Sequence, residues 1–158
     1  MTTTAHSKPT NPDRELTITR TFDVPPRAVF HAWTDPTQAK HWMGPRGFTA
    51  AHVGGDLRQG GKWRLCLRPD DGTKEVWQGG TYREITPPNR LAFTFAWDGD
   101  NGLPSHPTIV TVTLTGIGDR ATRMSFHQAT FRSTAERDGH RDGWNSTFDR
   151  LAEFLNAI

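Results

Sequence analysis

Apolar residues recur at two different spacings along this chain, and each spacing predicts a different kind of element. Near the carboxyl end, five apolar residues follow one another at steps of four, three, four and three: Trp144, Phe148, Leu151, Leu155 and Ile158. These steps place the five side chains on one stripe of an α-helix, which requires apolar surroundings. The pattern predicts one long helix over residues 133–158.

The start and the interior of this helix each carry a further sequence signal. Ser133 can cap the first turn, and Glu136 three residues later completes a capping box. Gly139 and Gly143 weaken the helix, each by about 1 kcal/mol relative to alanine. We expect these two glycines to mark a bend or a close approach to an element beneath the helix.

Alternation of apolar and polar residues predicts seven strands in the rest of the chain. The first strand covers residues 15–23, and the others cover residues 48–53, 62–68, 74–85, 91–97, 110–115 and 123–128. Tight turns between consecutive strands favour an antiparallel meander. Between the first two strands, Pro25-Pro26 and Asp35-Pro36 begin two short helices, the second of which runs to Trp42.

Together these elements predict an α+β domain in which a strongly curved seven-stranded antiparallel sheet wraps the carboxyl-terminal helix. Bulky side chains from both walls meet before the backbones do, so we expect a hollow between sheet and helix. The length of 158 residues suits a single domain, which we place at residues 14–158. Residues 1–13 are polar, and we expect a disordered tail there.

Composition narrows the classes of partner. Apolar residues make up 34% of the chain, with six Trp and nine Phe, so aromatic side chains carry most of the burial. The net charge of +2 comes without a run of like charges, which gives no indication of a nucleic acid partner. Since no apolar run approaches the roughly 20 residues of a membrane helix, we expect a cytoplasmic protein with no membrane partner. Cys66 is the only cysteine, which excludes an internal disulfide.

An apolar pocket with a few inward polar groups is the kind of site that the pattern favours. Gln128 shares the inward face of Met124 and Phe126, and Tyr82 brings a hydroxyl to the same region. Either group can bond to a ligand or within the protein, and the sequence leaves both alternatives open. The predicted ligand-binding residues are Trp63, Leu65, Tyr82, Phe93, Phe95, Trp97, Val112, Phe126, Gln128, Trp144 and Phe148.

The sequence contains no recognisable catalytic or metal-binding motif. Its seven histidines match no zinc spacing, and it has no nucleophile elbow, phosphate loop or dinucleotide fingerprint. We therefore predict no metal, no cofactor and no catalytic residue. The leading interpretation is binding of a small, largely hydrophobic ligand in an internal cavity, with no assigned reaction. The first alternative is an enzyme acting on a polyketide-like or aromatic substrate, for which His52, Tyr82 and Gln128 are the candidate acid–base groups.

Two side chains have no direction assigned by the pattern. Arg20 shares the apolar parity of the first strand, so it requires a position at the rim or a carboxylate partner. Trp77 has the parity opposite to that of Tyr82 unless Gly79-Gly80 forms a bulge.

Several phrases, taken in order, resemble START-like (SRPBCC, Bet v-like) proteins of the branch related to the activator of heat-shock-protein-90 ATPase. The phrases are RTFDVP at residues 20–25, VFHAWTDP at 29–36, GGKWR at 60–64, GTYREI at 80–85 and PPNRL at 87–91. The resemblance covers residues 15–158, and the ordered set is more specific than any single phrase.

This resemblance implies a helix-grip fold with a hydrophobic ligand cavity between sheet and helix. Members of the superfamily bind lipids, hormones or polyketides, and some catalyse cyclisation or hydrolysis. Co-chaperone activity is associated with eukaryotic members that carry an additional N-terminal domain, which we do not expect here. A protein-interaction or stress-response module of co-chaperone type, or a homodimer formed through the sheet, is the second alternative.

Overall fold

The computed structural model describes residues 11–99 and 105–158 of the chain. The strands are β1 (Glu15–Phe22), β2 (Phe48–Gly55), β3 (Lys62–Pro69), β4 (Val76–Thr86), β5 (Arg90–Trp97), β6 (Thr108–Ile117) and β7 (Ala121–Ala129). The helices are α1 (Pro26–Thr34), α2 (Pro36–Ala39) and α3 (Thr134–Ala157). The order of elements is the predicted one, although α2 ends at Ala39 and the chain continues as turns to Trp42.

The sheet has the order β1-β7-β6-β5-β4-β3-β2, and all neighbouring strands are antiparallel. Strands β2 to β7 therefore form a continuous meander, while β1 adds to the side of β7 and leaves α1 and α2 to cross to the opposite edge. The sheet curls into a half-barrel with α3 against it, which confirms the predicted helix-grip architecture.

The amino-terminal tail was predicted over residues 1–13, and residues 1–10 lie outside the described part of the chain. Asn11 caps a short 3-10 turn, Pro12–Arg14, by accepting a hydrogen bond from the Asp13 backbone N–H. Arg137 of α3 donates a hydrogen bond to the Pro12 carbonyl oxygen at 2.6 Å. Residues 11–14 are thus fastened to the start of α3.

Helix α3 buries its apolar stripe, with one exception. Trp144, Phe148, Leu151 and Leu155 are buried in the main core, whereas Ile158 is 68% exposed because the helix ends at Ala157. The prediction was therefore wrong for Ile158. The core on the sheet side consists of inward residues from four strands: Leu16, Ile18 and Phe22 of β1, Leu91, Phe93 and Phe95 of β5, Val110, Val112 and Leu114 of β6, and Met124 and Phe126 of β7.

Side chains at the two ambiguous positions have clear directions. Arg20 lies 2.9 Å from Asp149 and donates to the Asn145 carbonyl oxygen at 3.0 Å, so it is paired and joins β1 to α3. Trp77 is 36% exposed and faces away from the side of the sheet occupied by Tyr82. The register shift of β4 lies between Tyr82 and Glu84, so no bulge at Gly79-Gly80 brings Trp77 to the side of Tyr82.

The glycines of α3 border open space. A methyl group at Gly139 or Gly143 would meet no neighbouring atom within 4 Å, and α3 is a single unbroken helix. The predicted close approach is therefore wrong, whereas the alternative of a bend stays a prediction. Gly80 of β4 is the opposite case, because a methyl group there would overlap the Thr94 carbonyl oxygen. No helix within residues 11–99 and 105–158 is long and apolar enough to cross a membrane.

These two kinds of glycine give a matched pair of substitutions. Gly143→Ala is expected to raise the free energy of unfolding by about 1 kcal/mol, because alanine favours the helix and the added methyl meets no atom. Gly80→Ala is expected to lower it by about 1–3 kcal/mol, because the neighbouring strand must shift. Urea unfolding followed by tryptophan fluorescence measures both changes. A loss of stability in Gly143→Ala would contradict the open space beside α3.

Candidate ligand-binding site

Two adjoining cavities lie on the concave side of the sheet. The first, termed the inner cavity, has a volume of about 120 Å³ and reaches from α1 and α2 to strands β2–β5. Most of its wall is aromatic, with contributions from Trp33, Trp63, Tyr82, Phe93, Phe95 and Trp144. These rings hold one another in place, as in the edge-to-face contact of Trp63 with Phe93, whose centroids lie 5.4 Å apart.

The second cavity, termed the outer cavity, has a volume of about 570 Å³. It lies between the amino-terminal half of α3, strands β3–β5 and the segment that follows α2. Its wall includes Pro45, Phe48, Leu65, Leu67, Val76, Trp97, Gly139, His140, Gly143 and Trp144. Gly139 and Gly143 have no side chain to fill this space, so their position on the side of α3 that faces the sheet enlarges the cavity.

Five residues line both cavities and form a partition between them: Met43, Leu65, Gln78, Phe95 and Trp144. The two cavities are therefore neighbouring lobes of one site. Their combined size falls within the roughly 300–1,000 Å³ that is usual for small-molecule pockets.

Gln78 is the polar member of this partition. The residue is only 3% exposed, and its side chain makes no hydrogen bond to the described residues. The polar atom of the cavity wall that is buried without a partner in that part of the chain is Trp33 Nε1, a donor that a ligand can satisfy. Sequence reasoning missed Gln78, although its parity on β4 is the same as that of Tyr82.

Tyr82 lines the inner cavity close to Phe93, and its hydroxyl has no side-chain partner within the described part of the chain. Burial raises the pKa of the Tyr82 phenol. The group therefore stays protonated at neutral pH and can donate a hydrogen bond into the cavity.

The Gln128 side chain makes its hydrogen bonds within the core and lines neither cavity. Its Nε2 donates to Thr108 Oγ1 at 2.8 Å, and its Oε1 accepts from Trp144 Nε1 at 2.8 Å. Thr108 Oγ1 in turn donates to the Phe95 carbonyl oxygen at 3.3 Å. Because the protein satisfies both ends of the amide, its assignment as a ligand-binding residue is corrected in favour of internal hydrogen bonding.

The other predicted residues divide between the cavities and the core. Trp63, Leu65, Tyr82, Phe93, Phe95 and Trp144 line the inner cavity, and Trp97 lines the outer one. Val112, Phe126 and Phe148 line neither, because they are fully buried where α3 packs on β6 and β7. Contact of the seven lining residues with a ligand stays a prediction.

His52, one of the candidate acid–base groups, lies outside both cavities. Its exposed ring packs against Trp77 at a centroid distance of 5.6 Å, and its neighbour Val53 contributes to the cavity wall in its place. Among the residues that the structure describes, no three His, Cys, Asp or Glu side chains are arranged to hold a metal ion.

His140 is a lining residue that sequence reasoning did not single out. It faces the outer cavity, and Trp97 Nε1 donates to its Nε2 at 3.1 Å. Burial lowers the pKa of His140, and the nearby Glu136 carboxylate opposes this effect only in part. A signal was present, because His140 lies four residues before Trp144 and so extends the inward stripe of α3.

Charged groups around the cavities are paired. Arg64 lines the inner cavity and makes a bidentate contact with Asp98 at 2.9 and 2.7 Å, which lowers the pKa of the Asp98 carboxyl. Glu136, at the wall of the outer cavity, accepts hydrogen bonds from the Arg132 backbone and side chain, both at 3.0 Å. The walls therefore present little uncompensated charge.

Arg150 of α3 holds the segment that forms one wall of the outer cavity. Its Nη1 donates to the carbonyl oxygens of Gly44 at 2.8 Å and Phe48 at 3.1 Å. Ser146 Oγ of the same helix accepts the Arg46 backbone N–H at 2.9 Å. These bonds tie the segment to α3, so that helix and segment define the cavity together.

A family model described as Activator of Hsp90 ATPase homolog 1-like protein matches residues 23–156. The chain belongs to this family. The resemblance found in the sequence, to the START-like (SRPBCC) superfamily and its branch related to this activator, is thereby confirmed. Proteins of this fold family commonly bind hydrophobic ligands. Among curated protein sequences, none matches the chain.

Solved structures of bacterial proteins share the fold. A protein from Arthrobacter aurescens has a TM-score of 0.83 at 23% identity, covering 99% of this chain and 94% of its own. The AHSA1 protein of Silicibacter pomeroyi has a TM-score of 0.81 at 23% identity, covering 90% of this chain and 98% of its own. A protein from Chromobacterium violaceum, 26% identical, has a TM-score of 0.77 and covers 88% of this chain and 95% of its own.

The two buried glutamines give a second matched pair of substitutions. Gln128→Leu is expected to lower the free energy of unfolding by about 1–3 kcal/mol, because it leaves the Trp144 indole N–H buried without an acceptor. Gln78→Leu is expected to leave that free energy unchanged or raise it, because it replaces an amide that bonds to none of the residues that the structure describes. Urea denaturation of both variants under identical conditions distinguishes them, and equal losses would contradict the different roles of the two amides.

The lowered pKa of His140 predicts that the stability of the fold depends on pH. The fold depresses its pKa below the ordinary value of 6.5, so the unfolded state takes up the proton first as the pH falls. The contribution of His140 to stability is therefore complete above about pH 6.5 and is lost as the pH falls from there through the folded-state pKa. His140→Phe should lack this component in urea denaturation series across the pH range. Superimposable profiles for the wild type and this variant would refute the assignment.

Proposed function

We propose that this protein binds a small, uncharged and largely apolar molecule in the inner and outer cavities. The observation that carries the proposal is Trp33 Nε1, a buried indole N–H in the wall of the inner cavity that has no hydrogen-bond partner among the described residues. A buried donor without a partner is unfavourable in the empty protein, and a ligand atom can compensate for it.

The charge state of the walls supports an uncharged ligand. Arg64 is neutralised by Asp98, Glu136 is engaged by Arg132, and the raised pKa of Tyr82 keeps the phenol protonated. An ionic group placed between aromatic rings would lose its hydration without gaining a free counter-charge. Gln78 and Tyr82 instead offer neutral hydrogen bonds.

The volumes support a ligand larger than one ring. An apolar cavity of about 150 Å³ holds benzene, so the inner cavity of about 120 Å³ suits one ring or a short branched chain. The outer cavity, at about 570 Å³, accommodates the rest of the molecule. The ligand would pass the partition with Gln78 beside it.

Binding is favoured over catalysis because the candidate acid–base groups do not converge. His52 is outside the cavities, and the Gln128 amide is hydrogen-bonded to Thr108 and Trp144. Of the three candidates, only Tyr82 faces the inner cavity. Tyr82 has a raised pKa, far from the value near neutrality that suits a general acid or base, and His140, whose pKa is lowered by burial, lies in the wall of the other cavity.

Titration of the purified protein with N-phenyl-1-naphthylamine, an uncharged fluorescent apolar probe, tests the proposal. Saturable binding of one molecule per chain is expected, with energy transfer from the cavity tryptophans. Gly143→Leu should weaken this binding by about tenfold or more, corresponding to about 1.4 kcal/mol, because the new side chain extends into the outer cavity.

Asp142→Leu is the matched control, since it adds the same side chain at the neighbouring exposed position of α3. Circular dichroism establishes that both variants are folded. Mass spectrometry of an organic extract of the purified protein identifies any ligand that is carried along. Absence of saturable binding by the wild type, or equal binding by Gly143→Leu, would overturn the proposal.

A further inference from the structure

We propose that His140 recognises an oxygen acceptor on the ligand, such as a ketone or ester carbonyl, through its Nδ1–H group, and that Trp97 fixes the tautomer that makes this possible. The inference rests on the proposed ligand-binding function. It adds the class of ligand: an apolar molecule that carries a neutral carbonyl on the part held in the outer cavity.

The tautomer follows from the partner of Nε2. An indole N–H can only donate, and the Trp97 indole nitrogen lies 3.1 Å from His140 Nε2. Nε2 must therefore be the unprotonated nitrogen. In a neutral imidazole the proton then resides on Nδ1, which makes that atom a donor.

The aromatic rings that contact His140 offer no acceptor to this donor. His140 packs against the rings of Phe95, Trp97 and Phe131 at centroid distances of 5.4, 6.0 and 5.0 Å, so its orientation is held by three apolar contacts. Nδ1 has no hydrogen-bond partner among residues 11–99 and 105–158. A half-buried donor in the wall of an apolar cavity is a specificity element of the kind that orients small molecules.

The charges around the ring select a neutral acceptor. Glu136 lies one turn before His140 on α3, and both line the outer cavity. Its carboxylate is engaged by Arg132, yet it retains negative charge close to the ring and would disfavour an anionic ligand. The residues of β5 and of the β7–α3 connection that contact the ring, Phe95, Trp97 and Phe131, carry no charge. A carbonyl oxygen fits this environment better than a carboxylate does.

Two ligands of nearly the same shape test the contact. 2-Acetylnaphthalene carries a carbonyl oxygen where 2-isopropenylnaphthalene carries a methylene group, so the pair differs in the acceptor and little else. The measured quantity is the ratio of their two Kd values, followed from wild type to variant, because the different hydration of the ligands cancels in that comparison. One hydrogen bond predicts that the ratio shifts by about 2–12-fold against the ketone in His140→Phe.

Three further variants locate the effect. Trp97→Phe should reduce the preference for the ketone, because Nε2 no longer has a donor that keeps it unprotonated. His127→Gln, on the outer face of β7, should leave the ratio unchanged. A shift of the ratio in Gln78→Leu but not in His140→Phe would assign the acceptor to Gln78 and overturn the inference.

Nuclear magnetic resonance of the free protein gives a readout that needs no ligand. The 15N shifts of His140 are expected to show a protonated Nδ1 and an unprotonated Nε2 at neutral pH. A protonated Nε2 would overturn the inference whatever the binding results. Saturable binding of both ligands with an unchanged ratio in His140→Phe would overturn it while the proposed function stands. If neither ligand binds the wild type, the proposed function and the His140 contact fail together.

Discussion

The hydrogen bond from the Trp144 indole N–H to Gln128 is the contact on which the arrangement of helix and sheet depends. Gln128 Nε2 donates to Thr108 Oγ1, and Thr108 Oγ1 donates to the Phe95 carbonyl oxygen. One buried series of hydrogen bonds therefore joins α3 to β7, β6 and β5. Because these groups are shielded from water, breaking any member leaves an unpaired polar atom. The chain therefore fixes the rotation of α3 about its own axis, and that rotation turns His140 toward the sheet.

Trp144 also marks the boundary between solid core and cavity. On one side its ring packs against Phe126 and Phe148 at centroid distances of 4.6 and 5.5 Å, where α3 meets β6 and β7 closely. On the other side it lines both cavities together with Phe95. The curl of the sheet brings β1, the neighbour of β7, close to the backbone of the helix and leaves a hollow between the helix and β3–β5. The same helix thus closes a core at one end and roofs a hollow at the other.

Local patterns predicted the order of the elements because alternation and helical stripes are properties of neighbouring residues. Parity along a strand also assigned side chains to the inner face, but it could not divide that face into packed and hollow parts. Val112 and Phe126 share the parity of true lining residues and yet lie in the core. Gln78 and His140 carried the right spacing, but their importance rests on an unpaired amide and on the partner of one ring nitrogen. Both depend on contacts between distant segments, which spacing does not encode.

The glycines of α3 couple helix stability to cavity size. Gly139 and Gly143 place the weakest helical propensity of α3 in the half that roofs the outer cavity, while the half with Leu151 and Leu155 is anchored in the core. A larger residue at either glycine would favour the helix and would also take space from the cavity, because nothing lies within 4 Å of an added methyl group. The length of side chain at these two positions therefore sets the volume available beneath the helix.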